Sequence, residues 1–142
     1  TSKTPGRTKE INVFLINDSH YFMDLPGYGY AKASGATLQK LNTLISWYLF
    51  GSKTNPRVVL LIDAIVGPTK DDLGVLHELE RTGKDIVIVA NKADKIKKSH
   101  YINHIRDLKA QFPGHIVIPY SSNTKVGIQE LTDELLSGDR RD

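Results

Sequence analysis

An α/β fold, a mainly parallel sheet with helices on both faces, is the architecture this sequence predicts, and three observations predict it. Short β-rich runs alternate along the chain with longer stretches of helical period. Three of those runs, Val58 to Ile62, Ile86 to Ala90 and the shorter Ile116 to Ile118, are continuously apolar, as expected of strands covered on both sides. Near the start, Ile11 to Ile16 and His20 to Asp24 are separated by the turn-forming Asn17-Asp18-Ser19, so an antiparallel hairpin joins them.

The helices follow from spacing and from their ends. Leu38, Leu41, Leu44, Ile45, Tyr48 and Leu49 recur every three or four residues, with Trp47 beside the stripe and Gly51 as the stop. Thr69-Lys70-Asp71-Asp72 resembles a capping box that opens a second helix through Leu73, Leu76 and Leu79, ended by Gly83. A third follows Ser99, with Ile102, Ile105, Leu108 and Phe112 on its apolar side and Pro113-Gly114 as terminator. The last carries Ile128, Leu131 and Leu135 toward Gly138.

Composition bounds the rest. With 142 residues, 39% hydrophobic and 25% charged, the chain suits a single domain over residues 1–142 that buries roughly two-thirds of its unfolded surface. The formal charge of +3 suits an anionic partner without demanding one. Cysteine is absent, which excludes a disulfide framework and Cys-based metal sites and is compatible with a reducing compartment. No apolar run approaches the ~18 residues that span a bilayer, and the first residues lack the apolar core of a secretory signal. A cytoplasmic monomer with no membrane partner is the expectation, and no internal repeat or linker interrupts it.

Polar motifs stand where the strands end. Asn91-Lys92-Ala93-Asp94 follows a buried strand directly, which puts it at the carboxyl edge of the sheet, where such folds bind ligands. The Asp94 carboxylate can accept both N1–H and the 2-amino group of guanine, donors that adenine lacks. Asn91 would tie neighbouring loops together, and Lys92 can lay its stem on the base plane with its ammonium in water. Ser121-Ser122-Asn123 follows the next strand, where backbone N–H groups could meet guanine O6.

Asp24-Leu25-Pro26-Gly27 ends the second hairpin strand. A DxxG there lets the Asp hold a magnesium-bound water while the glycine N–H reaches a γ-phosphate. Tyr28-Gly29-Tyr30-Ala31-Lys32 then supplies two hinges and two aromatics, consistent with a segment that orders on the γ-phosphate. Ahead of the first strand, Thr4-Pro5-Gly6-Arg7-Thr8 could bring the Thr8 hydroxyl and carbonyl onto magnesium. Each motif is an ordinary turn when taken singly. Their order along the chain, threonine loop, hairpin, DxxG, buried strand, NKxD and SS, is the one a GTPase requires.

TSKTPGRT, FMDLPGYGYAK, LLIDAIVGPTKDD, NKADK and YSS together resemble the EngB family over nearly the whole chain, DLPGYGYAK being the most distinctive. The resemblance implies a Ras-like P-loop GTPase fold that binds GTP or GDP with magnesium, hydrolyses GTP slowly, and assists maturation of the large ribosomal subunit through its rRNA and ribosomal proteins. It places Gly6, Arg7, Thr8, Lys9 and Glu10 in a first switch and Asp24, Leu25, Pro26 and Gly27 in a second. Asn91, Lys92, Ala93 and Asp94 form the base site and Tyr120, Ser121 and Ser122 its far wall, with Thr8 and Asp24 at the metal. Potassium is an additional candidate ion.

One part of that pattern is missing: no GxxxxGK[ST] occurs among these residues. The expectation is a chain truncated before Thr1, without the first strand, the phosphate loop and the first helix. The missing strand would sit between the partners contributed by His20 to Asp24 and Val58 to Ile62. These residues alone should then bind nucleotide feebly, since aligned backbone N–H groups supply much of the anion binding. Tyr28 stands where many relatives carry a water-orienting Gln, so turnover should be slow and no catalytic residue is assigned.

Rival readings are a GTPase-like interaction module without a phosphate loop, and an RNA-binding domain using Lys92, Lys95, Lys97 and Lys98 as a phosphate track. His100 and His104 are spaced four apart, as a metal clamp requires, but lack a third ligand nearby, which favours a surface pair. Asp63, with Gly67 and Pro68, reads as a strand terminator that caps a turn, with no catalytic role.

Overall fold

The computed structural model describes residues 12–25, 43, 45–51 and 56–136. The chain parts into two compact units, residues 1–55 and 56–142, and each is described by itself. Among the described residues no helix is long and apolar enough to cross a membrane.

In the first unit, β1 (Asn12–Ile16) and β2 (His20–Asp24) form the expected antiparallel hairpin, in register from Asn12 opposite Asp24 to Ile16 opposite His20. Asn17 and Asp18 both take left-handed backbone, with φ of 52° and 54°, and the Ser19 N–H donates to the Ile16 carbonyl at 3.1 Å. Paired positive φ values match the right-handed twist of the two strands, and Asn and Asp tolerate them best after glycine. Val13, Leu15, Tyr21 and Met23 share one face of the hairpin, Phe14 and Phe22 the other, and all six are exposed. The apolar stripe that begins at Leu38 is described only in its last part. Thr43, Ile45 and Ser46 are helical and a π-helical turn covers Trp47–Gly51, with Leu49 buried and Trp47 exposed, as the spacing requires.

The second unit is built on a three-stranded parallel sheet in the order β3 (Val58–Asp63), β4 (Ile86–Asn91), β5 (Ile116–Pro119). α1 (Lys70–Arg81) links β3 to β4, and α2 (Tyr101–Ala110) links β4 to β5. Both crossovers step the same way across the sheet, and right-handed connections therefore place both helices on one face. α3 (Ile128–Leu136) follows β5, and its Leu131 and Leu135, with Tyr120, pack on Val87, Val89 and Ile118 of the other face. Helices thus cover both faces, as the sequence predicts.

The helix ends obey the local chemistry. At α1 the capping box is complete: Asp72 N–H donates to the Thr69 hydroxyl at 3.0 Å and Thr69 N–H to the Asp72 carboxylate at 2.8 Å. The helix closes with Lys84 N–H on the Leu79 carbonyl at 3.0 Å and Gly83 N–H on the Glu80 carbonyl at 3.1 Å, a Schellman pair made possible by the positive φ of Gly83.

Burial corrects the sequence reading at several positions. Every residue of β4 from Ile86 to Ala90 is buried, but β3 alternates: Leu60 and Ile62 are buried while Val59 is 40% and Leu61 62% exposed. On that side α3 packs its Leu131 and Leu135 on Val87, Val89 and Ile118 of β4 and β5. Ile116 is likewise exposed. Of the helical stripes, Leu76, Leu79, Ile105, Leu108 and Phe112 are buried, whereas Leu73, Ile102 and Ile128 near the first turns are exposed. A first-turn residue lies at the end of the helix axis, where fewer neighbours can cover it.

Opposite the carboxyl edge of the sheet, Arg57 clamps three segments. Its guanidinium donates to the Glu134 carbonyl at 2.6 Å and to the Glu134 carboxylate, and pairs with Asp85 at 3.2 Å. It fastens α3 to the starts of β3 and β4.

Candidate guanine-base site at the carboxyl edge of the sheet

Parallel strands release their connecting loops on one edge, and here three of them interlock. β3 and β4 end in register, Asp63 opposite Asn91. The Ala64 N–H donates to the Asn91 carbonyl at 2.8 Å, extending the ladder past the strand ends. Tyr120 N–H donates to the Ala90 carbonyl at 2.8 Å, and Ala93 N–H returns to the Tyr120 carbonyl at 3.0 Å. These bonds hold the Asn91–Asp94 loop against the Tyr120–Ser122 loop. Two predicted parts of the site are thus brought together.

Within the first loop, Lys92 adopts left-handed backbone, φ 69° and ψ 28°, and the chain turns into a short 3₁₀ segment, Ala93–Lys95. That conformation is uncommon for a residue with a Cβ and persists only where its surroundings impose it. Ala93, buried beneath the loop, anchors the turn. The Asp94 side chain is only 14% exposed and no hydrogen bond holds its carboxylate among the described residues; the nearest cation is Lys95, at 4.0 Å. Asn91 Oδ1 is buried and likewise without a hydrogen-bond partner. A buried acceptor left without a donor is costly, so Asn91 Oδ1, with the partly exposed Asp94 carboxylate beside it in the same loop, marks a place where a ligand's N–H groups would be favoured.

The second loop is shaped by its own serine. Ser121 is 1% exposed, and its hydroxyl oxygen accepts from Asn123 N–H at 3.2 Å and Thr124 N–H at 3.1 Å. Its backbone N–H donates to the Val126 carbonyl at 3.0 Å. Ser121 therefore builds the loop, and Ser122, exposed at its tip, is left facing outward. Gly127 closes the turn in a way sequence reading missed: with φ 80°, it lies so near β5 that a Cβ built on it would stand 2.0 Å from the Pro119 carbonyl oxygen. Only glycine fits there.

Asp63 does more than cap a turn. One carboxylate oxygen accepts from Ile65 N–H at 2.7 Å and Val66 N–H at 3.0 Å, and the other receives the Lys92 ammonium at 3.0 Å. Gly67 N–H donates back to the Asp63 carbonyl at 2.9 Å. Burial alone would raise the Asp63 pKa, but the Val66 N–H, the Lys92 ammonium and the Ile65 N–H together outweigh it and hold the carboxyl below its ordinary range. The signal in the sequence is Asp63's place at a strand end; its partner, twenty-nine residues on, is not readable from spacing.

The remaining candidates lie elsewhere. Asp24 closes β2 in the first unit, its side chain exposed, and Leu25 follows half-buried. Gly6, Arg7, Thr8, Lys9, Glu10, Pro26 and Gly27 fall outside the described residues. His104 is no metal clamp with His100: its Nε2 lies 2.6 Å from the Ala64 carbonyl, tying α2 to the turn after β3. Among the described residues no group of side chains could hold a metal ion by itself.

A parallel sheet with polar loops gathered at its carboxyl edge defines an open α/β class that binds ligands there, and comparison with known proteins narrows it to GTPases. The family model described as 50S ribosome-binding GTPase matches residues 1–92. The probable GTP-binding protein EngB of Clostridioides difficile (strain 630) is 38% identical over 140 residues, which are 96% of this chain and 69% of that protein. The protein of the same name from Ehrlichia chaffeensis is 42% identical over 139 residues, 95% of this chain and 70% of its own length. The chain belongs to the EngB family of GTP-binding proteins, and it is a GTPase of that family. Solved structures agree in fold. A crystal structure of a probable EngB matches with TM-score 0.72 at 21% identity, covering 93% of this chain and 83% of that one. Era in complex with MgGDPNP and nucleotides 1506–1542 of 16S ribosomal RNA matches with TM-score 0.75 at 20% identity, covering 94% and 46%.

Proposed function

We propose that this protein is a GTP/GDP-switched GTPase that acts in assembly of the large ribosomal subunit, with the Asn91–Asp94 and Tyr120–Ser122 loops as its guanine site. The observation that carries the base site is the Asp94 carboxylate: partly buried, without a hydrogen-bond donor among the described residues, and presented just past a left-handed Lys92. Guanine N1–H and its 2-amino group would satisfy that carboxylate together, while adenine offers neither donor on that edge. Ala93 provides the rigid floor of the loop, and the exposed Ser122 offers its backbone N–H toward O6.

Gly6, Arg7, Thr8, Lys9 and Glu10 serve in this reading as the first switch, and Asp24, Leu25, Pro26 and Gly27 as the second. Magnesium would be held by Thr8 and Asp24. The exposed Asp24 carboxylate at the end of β2 is the hard oxygen donor such an ion takes, and the ion, when bound, neutralises phosphate charge. Potassium is the second ion of the proposal. Residues 1–142 form a single domain of a monomer that acts in the cytoplasm on a precursor of the large subunit made of rRNA and ribosomal proteins. The role on the large subunit is supported by the description of the matching family, 50S ribosome-binding GTPase.

No glycine-rich phosphate nest occurs among these residues, so base contacts carry much of the affinity, which should be weak. Chemical-shift titration of the protein with GDP and with ADP tests the site. GDP should shift the Asn91–Asp94 amides and ADP should not. Asp94→Asn should weaken GDP binding roughly 10- to 100-fold, the cost of losing a charged bidentate acceptor. Equal responses to the two nucleotides, or an Asp94→Asn variant with unchanged preference, would overturn the reading.

A further inference from the structure

We infer that Asp63, on the neighbouring strand, is a positioning residue of the guanine site, holding the Lys92 side chain in the orientation that the base requires. The inference rests on the base-site reading above and adds to it a residue outside both base loops.

Lys92 is fixed at its root. Its left-handed backbone is pinned on one side by the Ala64 N–H bond to the Asn91 carbonyl and on the other by the Ala93 N–H bond to the Tyr120 carbonyl. Its far end is fixed too, by the 3.0 Å pair between its ammonium and Asp63. A lysine side chain free in water has about 2 kcal/mol of rotamer entropy to lose on ordering. Held at both ends, the methylene stem loses much of that before a ligand arrives, so an apolar surface for the base is formed in advance.

Asp63 is itself immobilised. Ile65 and Val66 donate to its other oxygen, Gly67 N–H returns to its carbonyl, and its backbone lies in register with Asn91. The turn it caps is braced from a third element, since His104 of α2 contacts the Ala64 carbonyl at 2.6 Å. The carboxylate that grips Lys92 thus belongs to a rigid frame, and the ammonium goes where that frame puts it. An ion pair with a largely exposed lysine contributes little to stability, because water screens it. Geometry is what it supplies.

The test separates the turn from the ion pair. Asp63→Asn keeps an amide oxygen for Ile65 and Val66 and removes the negative charge that pairs with Lys92. Affinity for GDP is measured by chemical-shift titration in the unaltered protein, in Asp63→Asn, in Lys92→Met and in the double variant, alongside Asp94→Asn. Asp63→Asn should weaken GDP binding about 3- to 10-fold. In the Lys92→Met background the same change should have no further effect, because the group through which Asp63 acts is gone. Ligand-free melting temperatures of Asp63→Asn and the unaltered protein should agree within a few degrees.

Asp63→Asn with full GDP affinity, or losses from Asp63→Asn and Lys92→Met that multiply in the double variant, would overturn the inference while leaving the base site intact. A protein that fails to prefer GDP over ADP, or keeps its preference in Asp94→Asn, would instead overturn the base site and this inference with it. Should Asp63→Asn unfold, Asp63→Glu decides: a longer carboxylate retains the charge, so an affinity near that of the unaltered protein supports the pairing and loss to the Lys92→Met level refutes it.

Discussion

β3 and β4 are neighbours in one sheet, six residues each, paired along their whole length and composed of the same kinds of side chain, yet they live in different environments. β4 is buried on both faces from Ile86 to Ala90. β3 buries Leu60 and Ile62 and leaves Val59 and Leu61 exposed. Composition cannot distinguish them; position in the sheet does. β4 has a strand on each side and helices above and below, whereas β3 lies at the edge of the described three-stranded sheet, and on the side where α3 packs, Leu131 and Leu135 cluster with Val87, Val89 and Ile118 of β4 and β5. A continuous apolar run therefore announces a strand of a parallel sheet without saying how many of its faces are covered.

The comparison breaks most visibly in the core. Ile88→Ala on β4 removes a fully buried branched side chain and should cost about 2–5 kcal/mol. Leu61→Ala on β3, the same kind of truncation at an exposed site, should cost less than ~1 kcal/mol. Urea unfolding of the two variants measures both, and equal losses would show that the exposed face of β3 is covered in solution.

Next in size is Gly127→Ala. The new methyl group would meet the Pro119 carbonyl and sit on backbone with φ 80°, so roughly 2–4 kcal/mol should be lost from steric overlap and left-handed strain together. The Tyr120–Ser122 loop hangs from that contact. A variant with native stability in the same unfolding assay would mean that the glycine and Pro119 are not packed together.

Third comes Arg57→Ala, at the opposite end of the same strands. Its guanidinium is 17% exposed and ties Glu134 of α3 to Asp85, so removing it should cost about 1–3 kcal/mol and leave the base loops unchanged. The amide shifts of Asn91–Asp94 should stay in place while the unfolding midpoint falls. Movement of both would show that the two ends of the sheet are coupled.

How much of this was legible beforehand differs between elements for physical reasons. The hairpin, the Thr69 capping box and the Gly83 stop rest on contacts between residues close in sequence, and the chain itself displays them. The NKAD and YSS loops could be placed at one sheet edge because parallel topology sends every such loop there. What stayed hidden depends on contacts that no spacing encodes: Asp63 meeting Lys92, His104 meeting Ala64, Gly127 against Pro119, and the bare face of β3. Ser121 shows the limit from the other side. Its position was found, but its hydroxyl proves to accept from Asn123 and Thr124, which shapes the loop rather than facing outward.

The smallest expected effect bears on where β3 and β4 end, at the paired positions Asp63 and Asn91. Burial works to raise the Asp63 pKa, and the donors Val66 N–H, Lys92 ammonium and Ile65 N–H overcome it, so the folded value lies below the unfolded one of about 3.9. A group depressed in this way stabilises the folded state at pH above its unfolded value. That contribution fades as the pH falls below about 4 and through the folded value, where protonation releases the pair with Lys92. Asp63→Asn cannot titrate. Its stability deficit relative to the unaltered protein should therefore be present near neutral pH and shrink as the solution is acidified through that window, with a slope difference under about one proton. Urea midpoints from pH 7 down to the acid transition measure it. A deficit of constant size across the range would mean that Asp63 acts through shape alone, and that its charge contributes nothing to holding the two strand ends together.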